Sequence, residues 1–137
     1  MEYVVVAWHS SLSSRQEAAI ERCQAVCLRI ILQEAYVTYK AALELTGLET
    51  LTERRKSRCI KFSQNCIKHE TNRRFFPENE YTSQDIRNRE KYKVNFAYTN
   101  TYKNSAIPYC QRLLNQLETR RGEEEERRRG GRRRGDE

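Results

Sequence analysis

Apolar residues recur along the first half of the chain at the spacing of helix faces, and the second half loses that rhythm. Ala19, Ile20, Cys23, Val26, Cys27, Ile30 and Ile31 fall within about 140° of one another at 100° per residue, while Glu17, Glu21, Ala25 and Arg29 point the other way. Ser14-Arg15-Gln16-Glu17, serine and glutamate three apart, reads as a capping box just before this stretch. The pattern predicts an amphipathic helix from Ser14 to about Leu32 with its apolar face on a core. A second, shorter helix is expected with Thr38 as N-cap, burying Tyr39, Ala42 and Leu43 and stopping at Gly47. Thr50-Leu51-Thr52-Glu53 is another capping box, opening a helix that runs to about Lys68. Cys59, Ile60, Phe62, Cys66 and Ile67 cover one arc of it, and Arg54, Arg58, Lys61 and Lys68 lie within about 80° on the opposite side.

After Asn72 the register is lost. Phe75-Phe76-Pro77 ends it, and the segment to Tyr109 is polar, basic and aromatic, carrying Tyr81, Tyr92, Phe96, Tyr98, Tyr102 and Tyr109 without a sustained period. Weak alternation from Tyr92 to Tyr98 predicts one strand. Cys110 to Glu118 reads as a last short helix through Leu113, Leu114 and Leu117. The remainder, Arg120 to Glu137, is a low-complexity run of Arg, Gly and Glu expected to be disordered. The fold class is therefore mainly α. A small helical bundle over residues 1–70 is followed by an irregular basic and aromatic extension with a short terminal helix over 71–119, then a tail over 120–137.

Composition narrows the setting. In 137 residues, 37% are hydrophobic and 33% charged, and a mean hydropathy of -0.96 implies a modest core. The longest apolar run, Tyr3 to Trp8, is far short of the roughly 18 residues a membrane span needs, and Glu2 stands where a secretory signal would carry basic residues. No membrane association is expected, and the nucleus or cytoplasm is the expected location. Five cysteines (Cys23, Cys27, Cys59, Cys66 and Cys110), odd in number and irregular in spacing, are expected to be reduced.

Charge adds a partner. The net charge is +7, but the first 53 residues hold four basic and seven acidic side chains, so the excess lies downstream of Arg54. A basic second half points to a polyanion. Aromatics in that half can stack on unpaired bases while Arg and Lys hold phosphate. The stripe Arg54, Arg58, Lys61 and Lys68 is the candidate nucleic-acid-binding site, weighed against a solvated helix face. Arg127 to Arg134, with Gly130 and Gly131, has the composition of an Arg/Gly-rich RNA-binding tail.

Catalytic chemistry finds little to use. Two-metal phosphoryl transfer needs clustered carboxylates, and the only aspartates are Asp85 and Asp136. Four of the five glycines lie in the tail, so no phosphate-cradling loop is present. Cys59, Cys66 and His69 lie on successive turns and Cys23 and Cys27 are four apart, but these spacings match no common zinc site. Cys23 and Cys27 read as buried packing thiols. No catalytic residue, metal or cofactor is expected.

Several stretches taken in order resemble one family. Glu2-Tyr3, Ala7-Trp8-His9-Ser10-Ser11-Leu12, Ile20-Glu21-Arg22-Cys23-Gln24 and Leu28-Arg29-Ile30-Ile31 are followed by Tyr39-Lys40-Ala41-Ala42-Leu43-Glu44-Leu45-Thr46-Gly47-Leu48 and Leu51-Thr52-Glu53-Arg54-Arg55. Thr99-Asn100-Thr101-Tyr102-Lys103-Asn104-Ser105-Ala106-Ile107-Pro108-Tyr109 closes the series. Together they resemble the region after the palm in reverse transcriptases of LINE-type (non-LTR) retrotransposons, over roughly residues 2 to 118. The resemblance implies a thumb-like helical bundle that grips a template–primer duplex, with RNA or an RNA/DNA duplex and the element's missing polymerase domain as partners. It also implies that the fingers, the palm and its metal-binding aspartate pair lie before Met1, so no polymerase activity is expected of this chain alone. Met1 then reads as a start inside a longer element, a truncated remnant of an RNA-directed DNA polymerase. The alternative is a stand-alone helical protein-interaction module, binding through apolar surface that includes Tyr3 to Trp8.

Overall fold

The computed structural model describes residues 4–80 and 90–132; Tyr3, Tyr81, Asp85, Arg134 and Asp136 lie outside the described residues. Those described are mainly helical and include no strand. They fall into two compact units, residues 1–61 and 62–137.

In the first unit, α1 (Val5–Trp8) leads into α2 (Ser14–Leu32), α3 (Tyr39–Thr46) and the start of α4 (Leu51–Lys68). The α2 cap is one residue earlier than expected. Ser13 Oγ accepts from the Gln16 backbone N–H, and Gln16 Oε1 accepts from the Ser13 N–H at 2.9 Å. Consecutive serines followed by Gln16-Glu17 offer two overlapping capping boxes, and the sequence does not rank them. Thr38 caps α3 as expected, accepting from the Ala41 N–H at 3.2 Å. Gly47 ends α3 at φ 66, where the Leu48 N–H reaches back to the Leu43 carbonyl at 3.1 Å. That left-handed backbone is nearly free of cost only for glycine. Thr50 opens α4, accepting from the Glu53 N–H and donating to the Glu53 carboxylate at 2.8 Å.

The orientation of α2 overturns the pattern. Leu28 is 3% exposed and Glu21, Gln24, Ala25 and Leu32 are half-buried, whereas Ala19, Cys23, Val26, Cys27, Ile30 and Ile31 are exposed. Ile31 is exposed by 72%. Glu17, Glu21 and Ala25, expected outside, turn toward the packed side, while Arg29 is exposed as expected and Ile20, expected inside, is half-buried. The reason is polar: Glu21 is committed to hydrogen bonds with α3 and the start of α4, which fixes the roll of α2 against them.

The second unit takes up the end of α4, then α5 (Glu70–Arg73), an irregular stretch, α6 (Asn100–Lys103) and α7 (Ala106–Arg132). Cys66, Phe76, Tyr92, Pro108, Cys110 and Leu114 are its buried apolar side chains. The strand expected from Tyr92 to Tyr98 reduces to an isolated antiparallel bridge between Glu78 and Tyr92. A side chain takes the place of a second neighbouring strand. Asn115 Oδ1 accepts from the Tyr92 N–H at 2.9 Å while Asn115 Nδ2 donates to the Tyr92 carbonyl at 2.9 Å. Helix α7 begins before Cys110 and continues past Glu118, since the Arg and Glu that follow are good helix formers. From Thr119 onward every described side chain is exposed, so this stretch adds nothing to the core.

Candidate nucleic-acid interface

The four cations are best located from the opposite side of α4. Arg55, Cys59, Ser63 and Cys66 are its buried residues, spaced four, four and three apart and thus forming one row along the helix. Arg54, Arg58, Lys61 and Lys68 are all exposed. At 100° per residue they centre about 140° from the Cys59 direction. Phe62, expected in the packed arc, is 40% exposed, and Ile60 and Ile67 are half-buried at its other edge. Arg55, which the sequence pattern does not place in that arc, is buried in the packed row.

A polar chain sets the roll of α4. Glu21 accepts from the Thr52 N–H at 2.7 Å, the Thr52 hydroxyl at 2.9 Å, the Leu51 N–H at 3.3 Å and the Tyr39 hydroxyl at 2.6 Å. A carboxylate there satisfies N–H groups of the first turn that have no partner within the helix and complements its dipole. Burial pushes the Glu21 carboxyl up, but the hydrogen bonds from Tyr39, Thr52 and Leu51 outweigh it and hold the group below the usual carboxylate range. Tyr39, by burial and by donating to Glu21, is held well above the usual phenol range and stays protonated. One turn further on, Arg55 Nη2 donates to the Thr52 hydroxyl at 3.1 Å and Arg55 Nε donates to His9 Nδ1 at 3.3 Å. Burial, then the Arg55 charge, lowers the His9 pKa, in keeping with a neutral ring that accepts at Nδ1. With its N-terminal turn and Arg55 both tied inward, α4 presents the stripe outward.

The aromatic segment divides into structural and exposed members. Tyr92 is buried beneath Lys91, whose ammonium sits 5.5 Å from the ring centroid, so this ring is not available for stacking on bases. Phe96 and Tyr98 are exposed and meet edge to face at 4.9 Å, with Lys91, Lys93 and Lys103 exposed in the same unit. Tyr102 is exposed and its hydroxyl accepts from Asn95.

The cysteines correct the reading of Cys23 and Cys27 as packing thiols. Both are exposed on α2, and the buried thiols are Cys59, Cys66 and Cys110. Burial pushes the Cys66 thiol up, helped by Cys110 nearby. Among the described residues no three His, Cys, Asp or Glu side chains are grouped to hold a metal ion.

Glu21, Arg55, His9 and Asn115, which do most of the positioning, carried no signal of that role in the sequence. Apart from the Arg55 bond to Thr52, their partners lie 18 to 46 residues away, beyond any local pattern. No helix among the described residues is long and apolar enough to cross a membrane. Compared with protein-family models, curated proteins and solved structures, the chain has no match.

Proposed function

We propose that this chain is a thumb-like region of a LINE-type reverse transcriptase, outside its polymerase centre, and that it supports sequence-tolerant binding of RNA or an RNA/DNA duplex through Arg54, Arg58, Lys61 and Lys68. The observation that carries the binding reading is the placement of these four exposed cations opposite the buried row Arg55, Cys59, Ser63 and Cys66. They cover about 21 Å of helix at 1.5 Å per residue, enough to follow a phosphate backbone. The family reading is supported by the order in which the quoted stretches follow one another in the sequence, from Glu2-Tyr3 to the run Thr99 to Tyr109.

Neutralising about four phosphates gives a slope of log K against log salt near −3 to −4. Affinity is low and sequence-tolerant, because phosphate contacts carry no base information. The test titrates RNA and an RNA/DNA duplex at several salt concentrations. It compares the chain ending at Thr119 with the same chain carrying R54Q, R58Q, K61Q and K68Q. Loss of affinity together with a shallower slope supports the reading; equal affinity and equal slope reduce the stripe to a solvated face. A second reading, the helical protein-interaction module, is favoured by the apolar face that α2 leaves exposed.

A further inference from the structure

The exposed face of α2 has a second regularity. Gln16, Ala19, Cys23, Val26 and Ile30 follow one another at intervals of three, four, three and four, the a/d seam of a heptad. In that register Ile20 and Cys27 fall at e, and Arg15, Arg22 and Arg29 all fall at g. The residues that pack within the protein, Glu17, Glu21, Gln24, Ala25, Leu28 and Leu32, occupy the remaining positions f, b and c, and Ile20 at e is half-buried at their edge. Helix α2 therefore carries two complete faces. One is used in its own unit, and the other is an unoccupied helix-pairing seam about two heptads long.

The flank selects the occupant. Arg15, Arg22 and Arg29 are exposed, and among the described residues none of them is paired with an acid. Arg29 lies over the Tyr36 ring, with its guanidinium carbon 5.3 Å from the centroid. Arg15 and Arg22 also line an open hollow of about 680 Å³ against Ala18, Ala19, Cys23, Val26 and Cys27. Small side chains at Ala19, Cys23 and Cys27 leave room for bulky ones from a partner.

A second copy is a poor occupant. Antiparallel self-pairing sets one arginine row against the other, and parallel self-pairing sets it against Ile20 and Cys27. The acidic run Glu123–Glu126 has no apolar residue to enter the seam.

We infer that α2 docks an amphipathic helix of another protein, with large aliphatic residues for the seam and a row of acidic residues facing Arg15, Arg22 and Arg29. This rests on the interaction-module reading and adds the chemistry of the partner. Charge on the flank sets which helix is accepted, and the seam supplies the area.

The test uses the full chain and two synthetic three-heptad peptides with leucine throughout the seam, one flanked by glutamate and one by lysine. Binding is followed by calorimetry and by the rate at which a thiol reagent modifies Cys23 and Cys27. The expected result is that the glutamate peptide binds at least about tenfold more tightly than the lysine peptide and protects both thiols. V26E removes that binding, and the triple variant R15E, R22E, R29E inverts the preference. All these substitutions are at exposed positions, and circular dichroism checks that the fold is kept. Equal binding of the two peptides, both abolished by V26E, overturns the acidic partner and leaves the interaction module standing. Binding of neither peptide overturns both. Self-association of the full chain that V26E abolishes overturns the acidic partner in favour of a second copy.

Discussion

Removing the Glu21 carboxylate orphans four donors at once: two backbone N–H groups of α4, the Thr52 hydroxyl and the Tyr39 hydroxyl. Hydrogen bonds to a charged group contribute about 1.5–3 kcal/mol each, and a half-buried site retains only part of that. E21A is therefore expected to lower stability by about 2–4 kcal/mol in denaturant unfolding, with E21Q falling between it and the parent. His9 gives the same unit a pH dependence. Its folded pKa lies below the usual 6.5, so below pH 6.5 the unfolded chain takes up a proton that the folded chain resists. Stability present above pH 6.5 declines as the pH falls from there through the folded value. Glu21, held below its usual 4.5, adds a second loss at lower pH, as protonation removes the acceptor of four hydrogen bonds. Unfolding midpoints measured from pH 7.5 to 5.5 are expected to fall for the parent chain and to stay nearly level for H9Q.

At the scale of elements, α2 separates hydrophobicity from burial. L28A opens a cavity and is expected to cost about 2–4 kcal/mol. I31A, on the face with the stronger apolar pattern, is expected to change stability by less than about 0.5 kcal/mol. Comparable losses for the two would mean that α2 is rolled the other way in solution. The existence of α2, α3 and α4 was legible because caps and stops are local: Thr38, Gly47, Thr50 and Glu53 act within a few residues of themselves. The roll of α2 was not legible, since it is decided by where the Glu21 carboxylate finds its donors, 18 to 31 residues away. The stripe on α4 was legible in register. The buried face opposite it was only half so, because Arg55 stands there with Phe62 turned out. The weak alternation after Tyr92 misled for a related reason: one asparagine on α7 supplies the hydrogen bonds that a second strand would have supplied.

At the scale of the whole molecule, chemistry is scarce and charge is plentiful. The only aspartates in the sequence are 51 residues apart, Asp85 and Asp136, and metal-assisted phosphoryl transfer requires carboxylates gathered on a pair of ions. The full chain is expected to extend no primer on an RNA template with Mg²⁺ or Mn²⁺. Template-dependent incorporation above a blank would contradict the proposal that polymerase activity belongs to another part of the parent enzyme. In the two proposals the basic charge is divided between two tasks, the cations of α4 following phosphate and the arginine row of α2 selecting a helix. Added salt is expected to weaken the first in proportion to the phosphates neutralised, and the second less, because apolar contact carries part of that affinity.

The pairing of Tyr92 with Asn115 gives an irregular segment a clock of its own. An amide that donates to a buried side-chain oxygen can trade its hydrogen for deuterium only when that contact opens. The Tyr92 amide is thus expected to exchange at the pace of α7, far behind those of Phe96 and Tyr98 a few residues along. N115A should bring it level with them, an effect that mass spectrometry or NMR can time residue by residue. Where a ladder of strands would spread such protection along its length, here it is confined to Tyr92, held by Asn115, and its neighbour Lys93, whose N–H donates to the Pro77 carbonyl at 2.9 Å.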